Sequence, residues 1–390
     1  MIKKIFIIFW LLIINSTTFA VNVNVKKVVK HYLTDHFLNA TFMFADNEKI
    51  LTYGAKGVFS VSDANQLQAI QQMPIASATK PITAAAILRL QDKQLLNVND
   101  KISKYIDADL WGDNIPTWAN EVSIHNLLTN SSGIAEYFGS VKVSLDMSQQ
   151  DINKAILGFI SSKPLEFNIG EKYKYSNTNY FLLGIIIEKI SGKNLATFLS
   201  EEFFKPLSMK MTHLATFDEA VKIQENTGKY YFPVRYYIEP NDTLKPKFTL
   251  VTTKFTLVPY SDGGLISNTA DLVKWYRALN GGKLLSDESY KLMITKYFLK
   301  DDSKLLKTYT GYGVFITELE NNETMIHHPG SAVGIRSEAG FIATKNIYFA
   351  ILSNVMVNFP MATKDQNINY NQLDISFFRD AIIRMIISQQ

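Results

Sequence analysis

The stretch Ile75-Ala76-Ser77-Ala78-Thr79-Lys80-Pro81 places a nucleophile and its activator by helix geometry alone. An apolar run over residues 82–90 follows it and predicts a buried helix that begins near Ser77. Residues three apart in a helix lie on one face, so the Lys80 side chain can reach the Ser77 hydroxyl. A serine hydroxyl needs a neighbouring base to act as a nucleophile, and a helix N-terminus favours negative charge on it. The stretch therefore predicts a reactive serine at a helix start.

A single Ser-x-x-Lys match is a weak signal, because such a short pattern also arises by chance. Ser77 is the only serine in this chain that is followed by lysine at the third position. It also precedes an alanine-rich amphipathic run, where a functional helix start is expected. Two interpretations stay open at this point, a catalytic pair and an ordinary buried helix.

Composition excludes several classes of protein. The chain has 390 residues, of which 47% are hydrophobic, so it can form one large domain or two intimate ones. Its net charge is only +4 and no basic stripe is interleaved with aromatic residues, so nucleic acid is not an expected partner. The absence of cysteine excludes disulfides, thiol catalysis and thiolate metal sites. The six histidines have no ligand-like spacing, and we expect neither a metal nor a cofactor.

The N-terminus has the pattern of a secretory signal peptide over residues 1–20. Lys3 and Lys4 precede an apolar run over residues 5–14, and small residues lead up to Ala20. We expect cleavage there and a mature chain that starts at Val21. The run is shorter than the ~20 residues that a spanning helix needs, so an uncleaved anchor is the weaker alternative. The expected protein is periplasmic or secreted and has no stable membrane anchor.

The two ends of the chain carry strand patterns and the middle carries helical ones. Residues 41–45 and 50–61 alternate like a hairpin, and three further strands are predicted at 324–328, 334–343 and 347–354. Helical spacing occurs at residues 25–38, 82–90, 124–128, 149–162, 178–190, 270–279 and 373–388.

This order predicts an α/β (α+β) fold, with one antiparallel sheet built from both chain ends, flanked by helices, and an inserted all-helical subdomain. We expect the sheet part at about residues 21–76 and 260–390 and the mostly helical part at about 77–259. Residues 226–260 are rich in tyrosine and have no clear period. They are either a β-ribbon packed on the core or a wall of the substrate cleft.

Tyr175-Ser176-Asn177 follows a glycine-containing loop and precedes a buried helix. A phenolate near positive charge is a competent base, so Tyr175 can share the Ser77 proton with Lys80. The amide of Asn177 can hold a substrate carbonyl. The alternative is an ordinary helix N-terminus with Ser176 or Asn177 as its cap.

His328-Pro329-Gly330-Ser331 is predicted on or beside a C-terminal strand. Gly330 would let a substrate approach the backbone closely, and the N–H of Ser331 could pair with that of Ser77 as an oxyanion hole. The alternative is a strand end with a turn, which Pro329 favours because proline cannot donate to a strand ladder.

In their order along the chain, these three motifs resemble those of the penicillin-recognising serine hydrolases, which include class C β-lactamases, D-Ala-D-Ala carboxypeptidases and related esterases. Residues 123–133 (SIHNLLTNSSG) are similar to the segment that this family has between its first two motifs. The resemblance extends over about residues 25–355, with further similar stretches at Gly170-Glu171, Pro206-Leu207-Ser208-Met209 and Gly263-Gly264-Leu265-Ile266-Ser267.

The resemblance implies a sheet domain and a helical domain with the active site between them. It implies that Ser77 forms an acyl-enzyme, that Lys80 and Tyr175 manage its proton, and that water releases the acyl group. Which of the two is the general base stays open. The substrate is then a small molecule, peptide or ester, with cell-wall compounds among the candidates. The substrate-binding residues expected from the motifs are Asn177, His328, Gly330 and Ser331.

The third motif departs from the family pattern. The family commonly has Lys or His, then Thr or Ser, then Gly, where the cation and the hydroxyl bind a substrate carboxylate. Pro329 supplies no hydroxyl, although Arg336 could restore a positive charge if it turned inward. We therefore expect esters or amides without that carboxylate to be preferred.

Two other functions stay open and a third is excluded. A class C-like β-lactamase or a D-Ala-D-Ala carboxypeptidase stays an alternative, and so does a non-catalytic penicillin-binding or sensor module that keeps the cleft without turning over. An α/β-hydrolase is excluded, because no serine has glycine two positions before it.

Overall fold

The computed structural model describes residues 25–62, 64–112, 114–144, 146–227, 232–239, 247–252, 258–302, 306–357 and 374–388. The predicted signal peptide, residues 1–20, lies outside these ranges, as do Tyr230 and Tyr231. None of the helices in the described ranges combines the length and the apolar character needed to span a membrane.

The helices are α1 (Val25–Asp35), α2 (Lys80–Asp92), α3 (Ala108–Trp111), α4 (Ile124–Leu128), α5 (Gln149–Ser161), α6 (Asn177–Ser191), α7 (Leu195–Leu199), α8 (Phe217–Glu225), α9 (Thr269–Asn280), α10 (Asp287–Met293) and α11 (Ile375–Ser388). The strands are β1 (Ala40–Ala45), β2 (Ile50–Lys56), β3 (Val58–Ser60), β4 (Asn65–Gln66), β5 (Met73–Pro74), β6 (His213–Leu214), β7 (Tyr236–Glu239), β8 (Lys247–Leu250), β9 (Leu265–Ser267), β10 (Phe298–Asp302), β11 (Lys307–Thr310), β12 (Phe315–Glu318), β13 (Thr324–Ala332), β14 (Ile335–Ile342), β15 (Ile347–Ser353) and β16 (Val355–Val357).

One eight-stranded sheet is built from both ends of the chain. Its order is β10-β11-β12-β13-β14-β15-β1-β2, and every neighbouring pair is antiparallel. The predicted fold class is therefore confirmed. Strands β10 to β12 were not predicted, because β10 (FLKDD) is an edge strand with four exposed residues and has no regular alternation of apolar and polar side chains.

Both faces of this sheet are covered. Phe42 and Phe44 of β1 contact Phe378 of α11 at ring centroid distances of 5.5 and 6.0 Å. Met43 and Ala45, which alternate with them, belong to the core on the other face, against which α9 packs. The strand is thus buried on both sides, and this explains its continuous apolar sequence.

Helix α6 is the centre of the helical part. Its residues from Thr178 through Ile187 are all buried, and it packs against α2 and α4. A helix that is apolar all round is typical of a core position. One hydrophobic core joins these helices to the inner face of the sheet, so the two parts share a core. The division at residues 76/77 and 259/260 stays a prediction.

The tyrosine-rich excursion contains the predicted ribbon. Strands β7 and β8 pair antiparallel, and β16 adds to β7 in parallel. Val258 also contributes to the wall of the cavity at Ser77, so one described residue of the excursion supports the cleft interpretation as well.

Candidate active site

Ser77 lies in a 3-10 turn, Ala76–Thr79, that leads directly into α2. Ala76 has a φ of +48°, a left-handed conformation that costs an L-residue about 1–2 kcal/mol. Two bonds at Ile75 hold the entry to the turn. Its carbonyl accepts from Ser337 Oγ at 2.7 Å, and its N–H donates to the carbonyl of Leu265 at 3.0 Å. The strands β14 and β9 thus position the Ser77 turn.

The side chain of Lys80 is fully buried and reaches Ser77 as predicted. Its Nζ lies 3.2 Å from Ser77 Oγ, 2.8 Å from Asn177 Oδ1 and 2.7 Å from the main-chain oxygen of Asp262. A buried amine or ammonium needs such partners, because it has lost its contact with water. Three chain segments therefore fix Lys80 beside the serine.

Tyr175 also lies at Ser77. Its hydroxyl donates a 2.8 Å hydrogen bond to Ser77 Oγ, and its ring centroid is 4.9 Å from Lys80 Nζ. Asn130 holds the chain on both sides of Tyr175. Its carbonyl accepts from the N–H of Lys174 at 3.0 Å, and its Oδ1 accepts from the N–H of Ser176 at 3.1 Å. The segment of residues 123–133 is thus the support for the second motif.

Asn177 is both the first residue of a helix and a contact of Lys80, so parts of both interpretations of its motif apply. It begins α6, yet the side chain of Ser176 makes no capping bond. The carboxylate of Glu136 caps the helix instead, with Oε2 accepting from the N–H of Asn177 at 2.5 Å. This frees the Asn177 side chain, whose Oδ1 accepts from Lys80 and whose Nδ2 has no partner among the described residues.

The third motif lies within the last residues of a strand, and the turn that ends the strand follows it at residues 333–334. Strand β13 continues to Ala332, and Pro329 pairs with Glu338 of β14. Pairing with β12 stops at His327, so beyond that residue one side of β13 has no strand partner. Pro329 is tolerated there because its missing N–H falls outside the ladder.

His328 is neutral near pH 7. Burial, with the nearby charge of Lys80 as a second cause, lowers the pKa of its imidazole to about 3. Its Nδ1 donates to the carbonyl of Pro329 at 2.6 Å, because a carbonyl can only accept. Its ring stacks on Phe315 at a centroid distance of 4.7 Å. His328 therefore supplies no cation at this point of the site.

Gly330 and Ser331 differ in what surrounds them. A Cβ on residue 330 would lie 2.0 Å from the carbonyl oxygen of Ile75 and 3.1 Å from the nitrogen of Ala78. The close approach at Gly330 is therefore made by the Ser77 turn, not by a substrate as the sequence had led us to expect. Ser331 is exposed and faces the cavity.

The predicted site residues, apart from Lys80 and Gly330, meet at a cavity of about 300 Å³. The motifs contribute six residues to the wall of this cavity: Ser77, Tyr175, Asn177, His328, Pro329 and Ser331. Lys80 lies behind this wall and acts on Ser77 from the core.

Three polar wall residues come from outside the motifs. Tyr137 and Asp262 were missed from the sequence; the only available signal was the position of Asp262 directly before Gly263-Gly264. Burial raises the pKa of the Asp262 carboxyl. The third, Arg336, does turn towards the cavity, but its Nη2 is held by Asp374 at 3.0 Å.

The chain is similar to known proteins over most of its length. The beta-lactamase family profile matches residues 25–371. Penicillin-binding protein 4* of Bacillus subtilis (strain 168) is 26% identical over 304 residues, which cover 77% of this chain and 64% of that protein. The chain thus spans less than two thirds of the length of the curated relatives it matches first.

Solved structures show the same fold. D-amino acid amidase from Ochrobactrum anthropi SV3, complexed with L-phenylalanine amide, has a TM-score of 0.71 at 19% identity and covers 94% of this chain and 98% of its own. The penicillin-binding protein from Bacillus halodurans has a TM-score of 0.68 at 23% identity, with coverage of 87% and 97%. Because the family profile spans most of its length, this chain belongs to the beta-lactamase family.

Proposed function

We propose that the protein is a serine hydrolase that cleaves an ester or a D-amino-acid amide or peptide through an acyl-enzyme on Ser77. One observation carries this proposal: Ser77 Oγ, on the wall of a cavity, lies within hydrogen-bond distance of both Lys80 Nζ and Tyr175 OH. A serine between two groups that can move its proton is the arrangement that nucleophilic catalysis requires. The likeness to a D-amino acid amidase supports an amide or ester as the substrate class.

The hydrogen bonds around Lys80 suit a neutral amine as the base. Asn177 Oδ1 and the carbonyl of Asp262 are acceptors, so they take two N–H groups of Lys80. A neutral lysine then has its lone pair left for the Ser77 hydroxyl. The hydroxyl of Tyr175 donates to the same Ser77 oxygen and stabilises its negative charge.

The reaction has two balanced steps. Ser77 Oγ bonds to the substrate carbonyl carbon while its proton passes to Lys80. The bond from that carbon to the leaving oxygen or nitrogen then breaks, and Tyr175 or Lys80 returns the proton to the leaving group. Water hydrolyses the acyl-enzyme by the same route in reverse, which restores the Ser77 hydroxyl.

Two sets of hydrogen-bond donors can bind carbonyl oxygens of the substrate. The N–H of Ser77 has no partner among the described residues, as expected in the first turn of a helix, and it can form an oxyanion hole with the N–H of Ser331. The free Nδ2 of Asn177 can hold a second carbonyl of the substrate.

The proposal is tested by active-site labelling. A fluorophosphonate probe should acylate the purified protein at one residue, and Ser77→Ala should abolish the label. A panel of short p-nitrophenyl esters and amino-acid p-nitroanilides then identifies the substrate class. Labelling of a different serine in Ser77→Ala, or a labelled protein that turns over no member of the panel, contradicts a hydrolase that works through Ser77.

We also propose a periplasmic or extracellular location, based on the signal-like residues 1–20. Expression of the full chain in a Gram-negative host, followed by intact-mass analysis of the periplasmic fraction, should give a protein that starts at Val21. A product that retains residue 1 and stays in the cytoplasm contradicts this assignment.

A further inference from the structure

A buried carboxylate oxygen on the cavity wall has no partner. Asp262 is only 7% exposed and lines the same cavity as Ser77. Its Oδ2 accepts a 2.8 Å hydrogen bond from the hydroxyl of Tyr137, whereas its Oδ1 has no hydrogen-bond partner among the residues that the structure describes. A buried carboxylate with an unused oxygen is costly unless a ligand satisfies it.

The groups around Asp262 leave a place for a cation. Glu136 lies close enough for the charge of Asp262 to add to burial in raising the pKa of its carboxyl. Both oxygens of Glu136 are already occupied by the N–H groups of Phe138 and Asn177. Lys80, the base of the proposed function, lies beside these two carboxyl groups, and its hydrogen bonds go to neutral oxygens, none to a carboxylate. Two acids therefore face one lysine.

The backbone of Asp262 lies close to the nucleophile. The main-chain oxygen of Asp262 bonds Lys80 Nζ at 2.7 Å, and the same Nζ is 3.2 Å from Ser77 Oγ. The Asp262 backbone is thus two hydrogen bonds away from the nucleophile. In an amino-acid amide or ester, the ammonium is attached one carbon away from the carbonyl that Ser77 attacks. An ammonium so close to that carbonyl can approach the wall that contains Asp262.

The other walls do not compete for a substrate cation or offer a strong site for a carboxylate. Pro329 has no hydroxyl, His328 is neutral near pH 7, and the guanidinium of Arg336 is paired with Asp374. The Asp262 carboxyl group, by contrast, keeps an oxygen, Oδ1, without a hydrogen-bond partner among the described residues.

We propose that the carboxyl group of Asp262 binds the ammonium group of the substrate, so that amino-acid amides and esters with a free α-amino group are the preferred substrates. This inference rests on the proposed function and specifies its substrate class. Tyr137 keeps the carboxylate oriented through its bond to Oδ2. The ammonium supplies the missing donor to Oδ1, and the acylation chemistry at Ser77 is unchanged.

The test compares two substrates that differ by the amino group alone. For the wild type, kcat/KM is measured for phenylalanine p-nitroanilide, in both enantiomers, and for 3-phenylpropionyl p-nitroanilide. A hydrogen bond to a charged group corresponds to a factor of about ten or more, so the better amino substrate should exceed the des-amino one by at least that ratio. Equal rates, or a faster des-amino substrate, overturn the inference.

Variants then assign the preference to one residue. Asp262→Asn keeps the size and an acceptor for Tyr137 but removes the charge, and it should lower the ratio of kcat/KM for the amino substrate to kcat/KM for the des-amino substrate by about tenfold or more. Asp271→Asn removes another buried carboxylate, one bonded to the N–H of Met211 outside the cavity, and should leave the ratio unchanged. A ratio that stays the same in Asp262→Asn also overturns the inference.

Fluorophosphonate labelling separates this inference from the proposed function. A wild type that is labelled at Ser77 and hydrolyses the des-amino anilide as fast as the amino one retains the hydrolase and loses the ammonium site. A wild type without Ser77 labelling loses the proposed function itself. If Asp262→Asn does not fold, as judged by circular dichroism, the wild-type substrate ratio still decides.

Discussion

The carbonyl oxygen of Ile75 lies where a side chain on Gly330 would begin, 2.0 Å from the position of its Cβ. Strand β13 and the Ser77 turn are therefore packed backbone to backbone, and Ser337 Oγ bonds the same carbonyl at 2.7 Å. Any side chain at residue 330 has to push the turn away from the sheet, because neither backbone can give way cheaply.

Gly330→Ala should therefore reduce both stability and activity. Overpacking typically costs about 1–3 kcal/mol, and a displaced nucleophile should lower the rate of Ser77 labelling by a factor of about one hundred. Urea unfolding and labelling kinetics measure the two effects. Gly158→Ala is the matched control, because a Cβ on this α5 residue meets nothing within 4 Å and should stabilise the helix slightly. A Gly330→Ala protein with wild-type labelling would contradict the close packing.

Lys80 and Tyr175 should behave as one proton-transfer unit, because both contact Ser77 Oγ. Lys80→Met and Tyr175→Phe should each lower kcat/KM by about 10²–10⁴ on an ester substrate. The double variant should be little worse than the poorer single variant, because groups that act together are not additive. Losses that multiply would show that the two residues act in separate steps.

Pro329 should limit the acylation of substrates that present a carboxylate. The wild type should hydrolyse short p-nitrophenyl esters and turn over nitrocefin poorly, because a missing hydrogen bond to a charged group costs about 1.5–3 kcal/mol. Pro329→Thr should raise the nitrocefin acylation rate by about tenfold or more relative to the ester rate. Pro329→Ala, which removes the ring and adds no hydroxyl, is the control and should not. Efficient nitrocefin hydrolysis by the unmodified protein would move the assignment to a working β-lactamase.

The burial of His328 should make stability depend on pH. Its pKa is about 3 in the folded protein, against an ordinary value of 6.5. Between these values the unfolded chain binds a proton that the folded protein does not, so this contribution is fully present above pH 6.5 and is lost as the pH falls towards 3. The free energy of unfolding should decrease by up to about 1.4 kcal/mol per pH unit for this one proton.

Urea unfolding at pH 5, 6, 7 and 8 measures this dependence. His328→Asn keeps a donor for the Pro329 carbonyl and cannot be protonated, so its slope between pH 6 and 5 should be shallower by about one proton. His327, which is also buried with a lowered pKa, accounts for part of the slope that remains. Identical slopes in the two proteins would show that His328 is not the titrating group.

Local patterns predicted what depends on neighbours in the chain. The period of 3.6 residues located α2 and α6, and the alternation of two located β14 and β15 within a residue or two of their bounds. The edge strand β10 was not predicted, because its side chains are mostly exposed and show no apolar periodicity. Pro329 suggested a turn. It lies in a strand instead, because β12 stops pairing with β13 at His327, and the residues around the proline do not predict where that pairing stops.

The sequence by itself determined that Ser77 and Lys80 face one another, because residues three apart on a helix meet whatever surrounds them. Tertiary structure alone decided what that pair can do. Tyr175, Asn177 and the carbonyl of Asp262 reach it from 97 to 182 residues away along the chain. The neutral His328, the occupied space at Gly330 and the unpartnered oxygen of Asp262 all follow from burial, and burial is set by how distant segments pack.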